Sequence, residues 1–308
     1  MSKNESYTTE DIARLLKVSK LTVYALIKKG ELQAYRVGRQ MRIDVSELEN
    51  YKVRGQEVKT QIPALAQAEE VTNAMVRQVV ISGQDTSLDM LARQLEMKTT
   101  KFRPLRSYGG SLDSLISMYE GKADIVSTHL FDGDTLTYNI PYVRKLLVSK
   151  SFMIVKFIKR TAGFYVAKEN PKQINGWKDL TIPQVKIANR ESGAGARVLL
   201  DEQLRLHDIS RGQVIGYENE HTSHLAIASA IASGCADVGV GIEQTAKLVN
   251  VEFIPMIEES YDLVMLKTVQ NKALISDVLA ILNDDNFKGK LELFGYDVEG
   301  IGDVVWEQ

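Results

Sequence analysis

Val185 to Leu204 reads VKIANRESGAGARVLLDEQL, and within it Arg190-Glu191-Ser192-Gly193-Ala194-Gly195-Ala196-Arg197 holds residue types suited to gripping an anion. A β-rich run, Val185 to Asn189, precedes the glycines, and apolar residues follow at helical spacing at Val198, Leu199, Leu200 and Leu204. The pattern predicts strand, glycine loop and helix. Such a loop aims backbone N–H groups at one spot before a helix N-terminus, where unpaired donors and the helix dipole favour negative charge. Gly193 and Gly195 permit positive φ or close backbone approach, and Arg190 and Arg197 would add charge-assisted bonds. The other reading is an ordinary βα turn with two solvated arginines. A dinucleotide fingerprint is excluded, because the third glycine is missing and no acidic residue closes a strand at the expected distance.

Other reactive side chains are few. His129, His221 and His224, three of the four histidines, fall at strand or helix ends expected to line a cleft. His221 and His224 stand three residues apart and could share a metal, but an HExxH arrangement and an obvious carboxylate ligand are missing, so no metal is expected. Cys235, the single cysteine, sits in Gly-Cys-Ala-Asp and reads as a small buried residue rather than a nucleophile. No nucleophile elbow, Walker loop or paired carboxylates appear, and an enzyme is not expected.

At 308 residues the chain suits two or three domains. It shows no signal peptide and no long apolar span; with one cysteine, this sets the expectation of a cytoplasmic protein without membrane partners. Charge is uneven: residues 1–54 hold 11 Lys and Arg against 7 Asp and Glu, while the remainder holds 27 against 33. A basic head on an acidic body points to a polyanion partner for the head alone.

In that head, Thr8 and Asp11 form a capping box before a helix whose Ile12, Leu15 and Leu16 share one face, ending near Lys17. Ser19 caps a second helix with Val23, Leu26 and Ile27 facing inward and Gly30 as its stop. Ala34 to Val37, the turn Gly38-Arg39-Gln40 and Met41 to Ile43 read as a two-stranded wing, and Asp44 or Ser46 caps a further helix through Leu48 and Tyr51. The run TTEDIARLLKVSKLTVYALIKKGELQAYRVGRQMRI resembles the winged helix-turn-helix of the excisionase and MerR-like families. The resemblance implies double-stranded DNA as partner, with the second helix in the major groove presenting Ser19, Lys20, Thr22, Tyr24, Lys28 and Lys29. Arg36, Arg39, Gln40 and Arg42 on the wing would meet phosphates or the minor groove.

Residues 55–78 form a polar linker that serves either as a dimerisation helix or as a tether. From Val79, short apolar strands alternate with helices, the mark of an α/β fold with a mainly parallel sheet. Strands are expected at Val79 to Ile81, Phe102 to Tyr108 and Ile125 to Thr128, with helices through Leu88, Leu91 and Leu95 and through Leu112, Leu115, Ile116 and Tyr119. LDSLISMYEGKADIVSTHL echoes LAIASAIASGCADVGVGIEQ, so two matching lobes are expected to clamp a ligand between strand ends. Tyr138 and Asn139 should shape a crossover, and Tyr261 to Val264 should form a strand returning between lobes.

GSLDSL, ADIVSTHLFDGDTLTYNIPYVRKLL, NPKQINGWKDL, ANRESGAGARVLLD, ASGCADVGVGIE and YDLV make residues 79–308 resemble the type II periplasmic-binding-protein superfamily. The closer likeness is to a cytoplasmic branch fused to helix-turn-helix heads and to molybdopterin biosynthesis enzymes, akin to molybdate-binding proteins. The resemblance implies a two-lobed clamshell that holds molybdate or tungstate through neutral N–H and hydroxyl donors, and no further cofactor. Ser82 and Ser111 at helix starts, Ser192, Gly193, Ala194 and Gly195 in the loop, and Tyr261 fit that role. Gly83, Thr128, His129, Arg190, Arg197, His221 and Thr222 complete the expected ligand set, and its arginines and histidines leave room for a larger anion. The expected function is a homodimeric, ligand-responsive transcription regulator. Alternatives are an excisionase-like recombination accessory and, further off, an enzyme or anion store linked to molybdenum cofactor metabolism.

Overall fold

The computed structural model describes residues 6–16, 18–30, 32–38, 40–48, 51 and 76–308. Arg39 and most of the expected linker lie outside them. The chain divides into two units, Met1–Thr72 and Asn73–Gln308.

In the first unit, helix Thr9–Leu16 starts at the expected box: Asp11 N donates to Thr8 Oγ1 (3.2 Å) and Thr8 N to Asp11 Oδ2 (3.1 Å). Helix Lys20–Lys28 is capped by Ser19, whose Oγ accepts from Thr22 N (3.1 Å), and Gly30 at φ +74° turns the chain out. Strands β1 (Ser6–Thr8), β2 (Tyr35–Val37) and β3 (Gln40–Asp44) form an antiparallel sheet in the order β1-β3-β2. Gln40, expected in the turn, is the first residue of β3, and β1 was not anticipated. Ile12, Val23, Leu32, Ile43 and Leu48 form the small core.

In the second unit, β4 (Arg77–Ser82), β5 (Phe102–Ser107) and β6 (Ile125–Thr128) are parallel, in the order β5-β4-β6. Strand β4 starts at Arg77, so this sheet begins two residues before the expected Val79. Strands β7 (Phe131–Asp132) and β8 (Thr137–Tyr138) make a small hairpin, and β9 (Phe152–Val166) is a 15-residue strand. Strands β10 (Ile187–Arg190), β11 (Glu220–His221) and β12 (Val238–Ile242) form the second parallel set, in the order β11-β10-β12. Strand β13 (Glu252–Leu266) pairs antiparallel with β9 along almost its whole length, and β14 (Val304–Glu307) adds to β9. In both sets the central strand is the first in sequence, and the third abuts the long pair: β6 joins β13 and β12 joins β9. The internal repeat maps onto this equivalence, because helix Ser111–Tyr119 feeds β6 as helix His224–Ala232 feeds β12.

Each lobe has its own core. Leu88, Leu91 and Leu95, one face of helix Ser87–Lys98, are fully buried against Val79, Ile81 and Leu263 in the first; each contributes about 1.5–3 kcal/mol by leaving water. Phe164, Leu199, Leu200 and Val240 anchor the second. Cys235, read as buried, is exposed in the turn before β12.

Where the long strands leave one lobe for the other, charge is buried. Arg160 on β9 binds Glu259 on β13 and Asp85 in the loop after β4, and all three are nearly inaccessible. Asp85 Oδ1 also accepts from Ser87 N (2.8 Å) and Tyr296 Oη (2.7 Å), and the guanidinium lies 4.3 Å from the Tyr261 ring centroid. Burial pushes the Asp85 carboxyl up, but Arg160 and these hydrogen bonds outweigh it and hold it below the usual range. Burial wins at Glu259, whose carboxyl is pushed up. Removing the shared cation strands two buried carboxylates, so Arg160→Met is expected to cost about 3–5 kcal/mol in urea unfolding of the full chain. A loss below about 1 kcal/mol would show that the cluster carries little of the hinge's stability.

Candidate ligand cleft and DNA-facing surface

The first parallel set ends at Ser82, Ser107 and Thr128 and the second at Arg190, His221 and Ile242, so the loops after them meet across one cleft. Closure is direct. Leu112 N donates to Gly193 O (3.1 Å), Gly133 N to Glu202 Oε2 (3.0 Å), and Gln84 Nε2 to Glu191 Oε1 (3.1 Å).

At its centre, helices Ser111–Tyr119 and Gly195–Leu206 start on opposite lobes, behind Gly110 and Ala194, and neither has a side-chain cap among the described residues. Two helix starts therefore meet at one notch, with Leu112 N already spent on the Gly193 carbonyl and Arg197 N on that of Ala194. Gly83, Ser111, His129, Arg190, Ala194, Gly195 and Tyr261 of the expected set line it, with Gln84 and Ser127. Ser111 Oγ and His129 Nδ1 are 3.0 Å apart, and Ser127 Oγ donates to Tyr261 Oη (2.6 Å). Burial pushes the Tyr261 phenol up to about 12, so it remains protonated. Closed, the notch holds about 10 Å³, barely room for one water.

The remaining expected residues stand elsewhere. Ser82 Oγ pairs with Ser114 Oγ (2.8 Å), and Thr128 is fully buried within β6. Thr222 borders an outer groove with Tyr108, Gly110 and Glu191. Ser192 is exposed, and Gly193 (φ +86°) spends its carbonyl on Leu112. His221 offers its own carbonyl to Arg190 Nε (3.3 Å).

The two arginines read as anion donors brace the protein instead. Arg190 bonds Glu191 Oε1 (2.7 Å), Gln84 Oε1 (2.5 Å) and the Thr222 carbonyl (3.3 Å). Arg197 turns inward to the Arg190 carbonyl (2.9 Å), Tyr217 Oη (3.2 Å) and Glu220 Oε1 (3.2 Å). The distinction lay in Gln84, Glu191 and Tyr217, whose convergence no local spacing announces.

Beyond His129 the cleft widens into a chamber of about 300 Å³ that sequence reasoning did not separate from the notch. His224 opens onto it, as expected of a cleft histidine. Burial, then the positive charges of Arg160 and Arg190, hold His129 and His224 well below the usual histidine range. Both imidazoles are neutral near pH 7.

On the first unit, Lys20, Leu21, Thr22, Tyr24, Lys28 and Lys29 are exposed along the second helix, and Arg36 and Gln40 along the wing. Ser19 Oγ and Thr22 Oγ1 bond each other (2.8 Å), and Lys20 pairs with Glu10. Arg42 is half-buried, its guanidinium 3.4 Å from the Ser6 carbonyl. Leu21, 81% exposed at the start of the helix, is an apolar group on this face that charge-based reading passed over.

A two-lobed body with one strand order repeated on either side of two shared strands, carried behind a helix-turn-helix, defines the class. The PBP superfamily domain profile matches residues 92–283 and a helix-turn-helix domain profile matches residues 6–54. The chain belongs to the PBP superfamily. The uncharacterised protein YvgK of Bacillus subtilis (strain 168) is 48% identical over 310 residues, covering 100% of both chains. A Mycobacterium tuberculosis (strain CDC 1551 / Oshkosh) protein described as DNA-binding is 48% identical over 42 residues, 14% of this chain and 54% of that one. An ABC-type phosphate transport receptor from Vibrio cholerae shares the fold, with TM-score 0.51 at 16% identity over 72% of this chain and 99% of its own.

Two measurements follow. A Cβ on Gly195 would stand 2.3 Å from the His129 ring. Alanine would otherwise favour the helix by roughly 0.5–1 kcal/mol, so a net loss of about 1–3 kcal/mol for Gly195→Ala would report lobe contact, and a net gain would refute it. Because the folded-state values of His129 and His224 are depressed, their contribution is present above about pH 6.5 and is lost as pH falls toward those values. Glu259, pushed up, works in the opposite sense. Between pH 7.5 and 5.5 the wild type should lose more stability than the His129→Gln, His224→Gln double variant; equal losses would contradict neutral imidazoles.

Proposed function

We propose that the protein is a ligand-responsive, DNA-binding transcription regulator that works as a homodimer, its second unit closing on a small ligand between the lobes. The observation that carries this reading is the closed cleft with two uncapped helix starts opposed across it, in a chain whose other unit is a helix-turn-helix. Exposed Lys28, Lys29, Arg36 and Gln40 suit phosphate contacts, and Tyr24 and Leu21 suit base edges and thymine methyls. The name of the short mycobacterial relative agrees. A ligand acts only through its differential affinity for open and closed bodies. Molybdate or tungstate is the anion we assign to the helix starts, where neutral donors and helix dipoles would hold it once the lobes part enough to admit it.

The test is selection of duplexes from a randomised pool by the full chain, with and without molybdate or tungstate. Enrichment of an inverted repeat, with affinity changed by the anion, is expected. Lys28→Ala and Arg36→Ala should each reduce the salt slope of binding by about 1 and leave the selected sequence intact. Failure to enrich any sequence would sink the regulator; enrichment only beside a recombinase would make the protein a recombination accessory. An anion without effect would remove molybdate and leave the DNA-binding reading standing.

A further inference from the structure

The chamber beside the notch is built for something other than an oxyanion. Its 300 Å³ lies at the lower end of the range for organic ligands. Leu225, Ile242 and Leu248 from the second lobe, Tyr296 from beyond β13 and Tyr261 at the hinge give it an apolar and aromatic wall. An inorganic tetrahedral anion makes no use of such a wall, because its binding rests on dense N–H and O–H donors.

Charge points the same way. Arg160, which reaches the chamber, is bound to Asp85 and Glu259, and Arg190 behind the notch is bound to Glu191. Neither guanidinium waits for an anionic guest.

Two acceptors do wait. Gln244 Nε2 donates to the Gly295 carbonyl (3.0 Å), which fixes the amide and leaves Oε1 buried without a partner among the described residues. His224, also in the lining, has its ring Nδ1 likewise buried and without a partner among the described residues. In the neutral imidazole with its proton on Nε2, Nδ1 presents a lone pair. Buried acceptors are almost always satisfied, by protein, water or ligand.

We propose that this chamber binds a compact, uncharged organic molecule that donates N–H or O–H hydrogen bonds to Gln244 Oε1 and His224 Nδ1 and lays an apolar face on Leu225, Ile242 and Leu248. The guest touches both lobes, since Thr86 and His129 face it from the first lobe and Ser223 to Leu225 from the second. It therefore stabilises the closed body. Its effect on DNA rests on the regulator reading above; its binding does not.

The probes are nicotinamide, adenine and 4-hydroxybenzamide as uncharged rings with donors, p-xylene as a ring without donors, and sodium molybdate, each titrated calorimetrically into the full chain. At least one donor-bearing ring is expected to bind, with affinity at least tenfold above p-xylene. Gln244→Leu and His224→Phe, which keep size but remove the acceptor, should each weaken it about tenfold. Leu248→Asp, at a side chain 78% exposed and so without consequence for folding, should weaken it as well. Val269→Ser, at a side chain 95% exposed and outside notch and chamber alike, should leave it unchanged. Binding of p-xylene as tightly as the donor-bearing rings, or no binding by any ring, overturns the proposal. Binding of molybdate alone overturns it too and leaves the regulator reading intact, whereas loss of selective DNA binding would sink that reading without touching the chamber.

Discussion

The cleft depends on one guanidinium held away from water between two carboxylates. Arg160, Asp85 and Glu259 come from β9, the loop after β4 and β13, so a single buried charge cluster ties the first lobe's leading loop to both strands that continue into the second lobe. Such a cluster is expensive to desolvate and tolerates little displacement. Tyr261 lies against the guanidinium and bonds Ser127, and the register of β9 and β13 slips between Tyr261 and Asp262. Asn139, fully buried with φ +64°, bonds Asp262 Oδ2 (2.6 Å) and Leu130 N (2.8 Å), pinning the crossover to the same point. The bend of the long strands is thus fixed from both sides.

With the hinge so braced, the cleft walls divide the work between two chemistries. Opposed helix starts offer N–H groups in a notch too small for more than a water, while the adjoining chamber offers apolar surface and unanswered acceptors. The arginines that look like anion-binding hands are paired within the protein, and His129 and His224 are kept uncharged by burial and by the charges of Arg160 and Arg190.

Much of this was legible because it is local. Capping at Thr8 and Ser19, the glycine stop at Gly30, the strand Ile125–Thr128 and the helices from Ser111 and Gly195 follow from near-neighbour spacing and fall where expected. The repeated Ala-Asp segments even predicted two equivalent lobes. What escaped notice is long-range. Arg160 sits in the mostly apolar, doubly buried run of β9 and meets Asp85 across 75 positions and Glu259 across 99. Arg197 has the spacing of an anion ligand and serves Tyr217. The strand β1 was missed because three residues before a helix cap carry too little alternation to register.

The shared strands also impose an order of assembly. The first lobe is discontinuous in sequence: β4 to β6 are synthesised early, but their neighbour β13 follows after the entire second lobe, and Arg77 finds the Gln270 carbonyl (2.8 Å) only then. Until β13 arrives, the edge of β6 is an unpaired row of backbone donors and acceptors. The second lobe likewise takes its last strand pairing from the first half of β13, whose Ile254, Met256 and Ile257 pack on its core. A chain emerging from the ribosome would therefore close neither lobe until β13 is made, with the edges of β6 and β9 open to wrong partners during the interval.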